Sequence, residues 1–220
     1  VIAACLLLEY GVSAAAVAVG WSQYLNKLLD NLFGVQLPHA LSYAPSEDGL
    51  VNLPAIILVL LCMLLLIRGA SESATINAVM VIIKIGVLLM FVVVGLTGWS
   101  TNNLSDFAPL GTSGIWAATG GIFFSFIGLD AVSTAGEEVK DPTRTMPRAI
   151  VLALLIVTTV YVLVALVAVA AQPWQSFEGQ DAGLSQILQD VTGSTWPGTV
   201  VAAGAVISIF SVTLVTLYGQ

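Results

Sequence analysis

Three ionisable side chains stand inside long apolar stretches of this sequence: Glu9, Lys84 and Asp130. A charge within the hydrocarbon core of a membrane is costly, so each of them is a candidate functional group. A lysine buried in such a stretch either binds carbonyl or carboxylate oxygens or gives up its proton. Lys84 is therefore interpreted as a proton carrier, or alternatively as a fixed charge that holds two helices together.

The two acidic residues also have alternative interpretations. Glu9 lies near the start of its apolar stretch. It either forms a structural hydrogen bond to a neighbouring helix or takes part in coupling transport to protons. Asp130 would fall in the first turn of a second half-helix if the helix breaks just before it. The positive end of a helix dipole favours a carboxylate, so Asp130 is either a functional group or a cap.

The residues just before Asp130 predict that break, within Phe124, Ser125, Phe126, Ile127 and Gly128. Nearby glycines weaken the helix by roughly 1 kcal/mol each relative to alanine. Unpaired backbone in hydrocarbon is tolerated only where it lines a cavity or is covered by protein. Free carbonyls suit an ammonium group and a half-helix N-terminus suits a carboxylate, which favours a zwitterionic ligand. An ordinary glycine-bearing kink is the alternative.

The elements that must position these residues are membrane helices. Apolar residues make up 58% of the chain, charged residues 9%, and the mean hydropathy is +0.99. This composition predicts an all-α membrane protein, in which a span needs roughly 20 apolar residues. Six segments qualify, 1–20, 52–67, 75–98, 113–138, 148–171 and 198–218. We expect one transmembrane domain over residues 1–220, and an internal fragment of a longer protein, because the sequence begins inside an apolar stretch without a signal peptide.

The basic residues predict the orientation of the helices. Arg68, Lys140, Arg144 and Arg148 fall on one side, which the positive-inside rule assigns to the cytoplasm. We therefore expect a multi-pass protein of the cell membrane with loop 139–148 in the cytoplasm. Two loops on the other side show helical spacing of leucine, isoleucine and valine, in residues 25–32 and 184–191. They predict short surface helices that either cover the bundle or gate it.

Several function classes are disfavoured. Cys5 and Cys62 lie in predicted spans without the spacing of a metal site or a disulfide framework, and we expect neither metal nor cofactor. The spans carry no HExxH pair, GxSxG elbow or paired carboxylates, which argues against an enzyme. A phosphate-binding loop for ATP-driven transport is missing, and nothing suggests a nucleic-acid partner.

The stretch GIFFSFIGLDAVSTAGEEVKDPTRTMP resembles the sixth helix and following loop of the amino acid/polyamine/organocation (APC) superfamily of transporters, in the bacterial branch of the cationic amino acid transporter family. EYGVSAAAVAVGWSQYL is similar to the third helix of that family, INAVMVIIKIGVLLMF to its fifth and GAVISIFSVTLVTLYGQ to its eighth. The resemblance implies the inverted-repeat (LeuT-like) transporter fold, with six of its transmembrane helices, the third to the eighth, in this chain.

The resemblance also implies roles for individual residues. The segment from Phe124 to Gly128 would be the unwound centre of the sixth helix, with carbonyls on the substrate's amino group and Phe124 and Ile127 on its side chain. Lys84 would occupy a position in the fifth helix where sodium-independent members of the family have a lysine. In sodium-coupled relatives, the sodium ion binds near this position.

The implied function is proton-coupled secondary transport of an amino acid across the lipid bilayer. The broken first helix of the family, which supplies the other half of the site, is not in this sequence, so the fragment alone is expected to be inactive. A sodium-coupled amino acid or amine symporter is the alternative. A non-transporting scaffold or channel subunit is a further one, although neither predicts a mid-span lysine together with a broken helix.

Overall fold

A computed structural model describes residues 2–69, 74–105, 108–123 and 141–218. These residues form helices and no strand, which confirms the all-α prediction for this part of the chain. The helices are α1 (Ile2–Phe33), α2 (His39–Ser42), α3 (Leu53–Ile67), α4 (Ala74–Gly95), α5 (Gly111–Phe123), α6 (Pro142–Ala171), α7 (Gly183–Thr192) and α8 (Thr195–Tyr218). Short 3-10 turns occur in the connections between them.

Three stretches in these ranges are long and apolar enough to cross a membrane: Ala78–Gly98, Pro142–Ala171 and Thr195–Tyr218. Leu53–Ile67 is apolar but shorter. The predicted segments 52–67, 75–98 and 198–218 therefore coincide with helices. The predicted segment 113–138 is described only as far as Phe123, and its proposed break at 124–128 lies outside the described residues.

The prediction of a helix over 1–20 followed by a separate short helix over 25–32 is wrong. The structure has one continuous helix, α1, of 32 residues. Gly20 is the only glycine between Val12 and the end of the helix, and α1 contains no proline. Gly34 ends α1 with a φ of +65°, and its N–H donates to the carbonyl of Asp30 at 2.9 Å. The second surface helix, predicted over 184–191, is confirmed as α7.

The start of α6 was also predicted too late, at residue 148. The helix begins at Pro142, directly after Asp141 in the left-handed conformation with a φ of 54°. Proline suits the first helical position, because its fixed φ is helical and its missing N–H would be unpaired there. Pro147 lies inside the helix and removes one backbone hydrogen bond, but α6 continues through it to Ala171.

One hydrophobic core joins α4, α6, α7 and α8. Its buried members are Phe91, Val92, Val167, Ala168, Ile187, Leu188 and Val201. Glycines let the helices approach closely: a Cβ at Gly204 would lie 2.7 Å from Val87 Cγ2, and one at Gly95 would lie 2.5 Å from Val167 Cγ1. The helix α4 is therefore packed tightly against both α6 and α8.

A second core joins α1, α3 and α8. It contains the buried residues Ala18, Ala55, Leu58, Cys62 and Leu214. The indole N–H of Trp21 in α1 donates to the carbonyl of Val206 in α8 at 2.9 Å. The helix α8 thus takes part in both cores and connects α1 to α4.

Candidate functional site

Lys84 lies near the middle of α4, the eleventh of its 22 residues and about 15 Å along the axis from Ala74. The side chain is half-buried. Val87 and Phe91 follow at spacings of three and seven residues and share its helix face. Because Val87 abuts Gly204 and Phe91 is fully buried, Lys84 lies on the packed face of α4, at its boundary with α8.

A buried hydroxyl lies two helical turns beyond Gly204 on the same face of α8. The C-terminal end of α4 and the N-terminal end of α8 both border α7, so the two helices run in opposite directions. Helical side chains lean toward the N-terminus of their own helix, which directs the Lys84 stem toward residues that follow Gly204 in α8. Ser211 lies further along α8 and is 1% exposed, and its hydroxyl has no hydrogen-bond partner among the described residues. Sequence reasoning missed this serine, because serine is common in membrane helices.

The other predicted site residues are placed differently. Glu9 lies on α1 with its side chain exposed, so the predicted hydrogen bond to a neighbouring helix is not seen among the described residues. Asp130 and the segment 124–128 lie outside the described residues. The structure describes two of the three predicted ionisable residues. Lys84 lies in a helix interface, whereas the side chain of Glu9 is exposed.

A network of polar side chains ties α7 to its neighbours. The ammonium of Lys27 in α1 donates to Oε1 of Gln186 at 2.7 Å, and the amide of Gln189 donates to Oδ1 of Asn31 at 3.0 Å. The buried hydroxyl of Ser185 donates to the carbonyl of Gly198 in α8 at 2.7 Å. The helix α7 is therefore bonded to α1 on one side and to α8 on the other.

The connection between α1 and α3 is also bound to the segment before α7. The hydroxyl of Tyr43 donates to Oδ2 of Asp181, and the ring of His39 stacks on that of Tyr43 with 4.1 Å between ring centroids. The hydrogen bond to Asp181, together with burial and the negative charges of Asp181 and Glu47, raises the pKa of Tyr43 to about 12. Tyr43 therefore stays protonated and keeps this hydrogen bond at physiological pH.

Sequence reasoning missed both sets of contacts at this end of the bundle, which we call the α7 end. Tyr43 and Asp181 are 138 residues apart, and Lys27 and Gln186 are 159 apart. The one signal in the sequence is the concentration of polar residues in these connections. Among the described residues, no group of three or more His, Cys, Asp or Glu side chains could hold a metal ion.

Comparisons with known proteins match the whole chain. The family model described as amino acid permease matches residues 1–220. The branched-chain amino acid permease BcaP of Bacillus subtilis is 40% identical over 219 residues, which are 98% of this chain and 47% of the relative. The methylthioribose transporter of the same bacterium is 38% identical over 217 residues, 98% of this chain and 46% of the relative.

A plant relative shows the same pattern. The cationic amino acid transporter 1 of Arabidopsis thaliana is 34% identical over 220 residues, 98% of this chain and 36% of the relative. The chain spans about half the length of the bacterial relatives it matches, and about a third of the plant protein.

Proposed function

This chain belongs to the amino acid permease family, and we propose on that premise that the full-length protein carries amino acids across the cell membrane by secondary active transport. The observation that carries the proposal is the family match over all 220 residues. The relatives are transporters and permeases, so the family is one of transport proteins and not of enzymes.

Six transmembrane helices in one domain, the third to the eighth of a LeuT-like inverted repeat, are part of the proposal. The length of the relatives supports it, because about half of each bacterial relative lies outside the matched region. The remaining helices of the permease would complete the substrate site beside the segment from Phe124 to Gly128, so the isolated chain would be inactive. Asp130 would follow that segment as a cap or a second proton-binding group.

Coupling to protons is the further part of the proposal, and Lys84 is its centre. Lys84 lies near the middle of α4, on the face that packs against α8. A change in its charge would therefore alter the packing of α4 on α8. A ligand or proton shifts a conformational equilibrium only if it binds one conformation more tightly than the other. Glu9, whose side chain is exposed, is the less suitable carrier.

Uptake by the full-length permease in proteoliposomes tests the function. Labelled leucine, lysine and methylthioribose are offered in parallel, each with and without an excess of the same unlabelled compound, with and without an inward proton gradient, and in the absence and presence of sodium. We expect saturable uptake of at least one of the two amino acids without sodium, driven above equilibrium by the proton gradient. Uptake of methylthioribose but of neither amino acid would contradict amino acid transport, and a strict need for sodium would contradict proton coupling.

The orientation is a separate prediction: residues 139–148 face the cytoplasm and the α7 end faces outward. Single cysteines at Thr143 and Gly183 in the full-length permease should differ in their reaction with an impermeant thiol reagent on whole cells. Thr143 is exposed, and a Cβ at Gly183 would meet nothing closer than 3.6 Å, so both sites accept a cysteine. We expect labelling at 183 and none at 143.

The background for this experiment needs the native cysteines removed, above all Cys5, because Cys5 is exposed and Cys62 is buried. Labelling of both positions after permeabilisation shows that Thr143→Cys is reactive once reached. Labelling of intact cells at 143 but not at 183 would invert the proposed orientation.

A further inference from the structure

A cavity of about 340 Å³ opens at the α7 end, away from the helix interface that holds Lys84. Its walls come from the last turns of α1, the connection that follows α1, and the segment before α7. The lining includes Asn26, Lys27, Asp30, His39, Tyr43 and Asp181. Small-molecule sites occupy about 300–1,000 Å³, so this cavity has the size for a single small solute.

Three charged side chains surround the cavity. Lys27, Asp30 and Asp181 are each half-buried. The Lys27 ammonium donates to the neutral amide of Gln186, and Asp181 accepts from the neutral hydroxyl of Tyr43, so neither forms an ion pair with a described residue. Burial disfavours a charge that has no counterion. One cation and two carboxylates thus remain available to a ligand.

The other walls are suited to an elongated, partly apolar molecule. The stacked rings of His39 and Tyr43 form one side, and Leu37 contributes an aliphatic surface. Aromatic faces attract ammonium groups as well as aliphatic chains. Asn26 adds an amide to the lining.

We propose that this cavity is a second binding site, at the α7 end, for an amino acid with a cationic side chain. The ammonium of Lys27 pairs with the α-carboxylate, and Asp30 and Asp181 take the α-ammonium and the side-chain cation. A free amino acid of this kind carries one negative and two positive groups, which complement the three charges of the wall. This inference rests on the proposed function, because it assigns the same class of solute to another place on the permease.

A fluorophore on the cavity wall tests this assignment in the full-length permease. Gln36 lines the cavity and is exposed, so Gln36→Cys in a cysteine-free background can carry an environment-sensitive dye. The probes are L-lysine and L-norleucine, which has the same carbon chain without the side-chain amine. Because charge-assisted hydrogen bonds are the strong ones, we expect a saturable signal with lysine at least about tenfold tighter than with norleucine. The double change Asp30→Asn and Asp181→Asn should abolish this preference.

Two variants separate recognition from structure. Asp48→Asn removes a charge at the same end outside the cavity lining, and it should keep the lysine preference. Asp30→Asn alone breaks no side-chain hydrogen bond of the described residues and should weaken lysine binding even if the double variant fails to fold.

Equal binding of norleucine, no saturable signal, or loss of the preference in Asp48→Asn would overturn the assignment. The dye reports the cavity and not transport. A lysine signal without uptake of any amino acid would therefore refute the proposed function and leave the binding site standing. Uptake without a lysine signal would refute the binding site alone.

Discussion

Lys84→Ala in the full-length permease is expected to abolish proton-driven accumulation of the substrate. Lys84 is half-buried on the packed face of α4, about 15 Å from the start of that helix. Loss of its proton would remove a charge from the boundary between α4 and α8 and favour a different packing of the two helices. Uptake into proteoliposomes should fall to the level measured without a gradient, while exchange of labelled for unlabelled substrate continues, because the proposed ligand contacts lie elsewhere.

The matched control is Ile82→Ala, on the same helix but with an exposed side chain, which should retain gradient-driven uptake. Monodisperse elution of each variant on size-exclusion chromatography shows that the protein is folded. Full concentrative, proton-dependent uptake by folded Lys84→Ala would identify the lysine as a structural charge. Glu9→Gln and Asp130→Asn would then be the next variants to test.

Gly198→Ala should destabilise the packing of α8 on α7 at the α7 end. A Cβ at this position would lie 2.6 Å from the backbone oxygen of Ser185 and 2.6 Å from Cγ of Gln189. Backbone atoms cannot rotate away as a flexible side chain can, so α7 has to move off α8. Overpacking of this kind costs about 1–3 kcal/mol, which outweighs the gain of about 1 kcal/mol in helix propensity.

Thermal unfolding of the purified full-length permease measures this effect. Each kcal/mol lowers Tm by about 2–4 °C in a protein of this size and by less in a longer one. Gly183→Ala is the control, because it lies in α7 and its new Cβ would meet nothing closer than 3.6 Å. It should leave Tm unchanged or raise it slightly. If the two alanine variants have the same Tm, the close contact between α7 and α8 is not present in the folded permease.

Local patterns in the sequence predicted much of the helical structure. Apolar runs identified the helices that became α3, α4 and α8, and the spacing of Leu184, Ile187, Leu188 and Val191 identified α7. These signals work because a helix face repeats within a few residues along the chain. The errors lie at helix ends: α1 continues past its apolar part because nothing stops it before Gly34, and α6 starts early because Pro142 suits a first turn.

The candidate site was less accessible to sequence reasoning. A charged side chain in an apolar run is energetically costly to place in a membrane. Lys84 could therefore be identified as a candidate functional residue from the sequence alone. Its position on the face that packs against α8 depends on the register of two helices that are distant in the chain. The contact of Tyr43 with Asp181 depends on the folding of two connections that carry no periodic pattern.

The length of α1 determines where the cavity beside Lys27 stands relative to the lipid. At a rise of about 1.5 Å per residue, its 32 residues extend about 48 Å, whereas the hydrocarbon layer is about 30 Å thick. Even a tilt of about 40°, the upper end of the usual range, leaves about 37 Å along the membrane normal. The polar residues of α1 are concentrated after Ser22, so in the proposed topology the excess length of α1 projects at the α7 end. In that topology, solutes dissolved in water reach the cavity without entering the acyl chains.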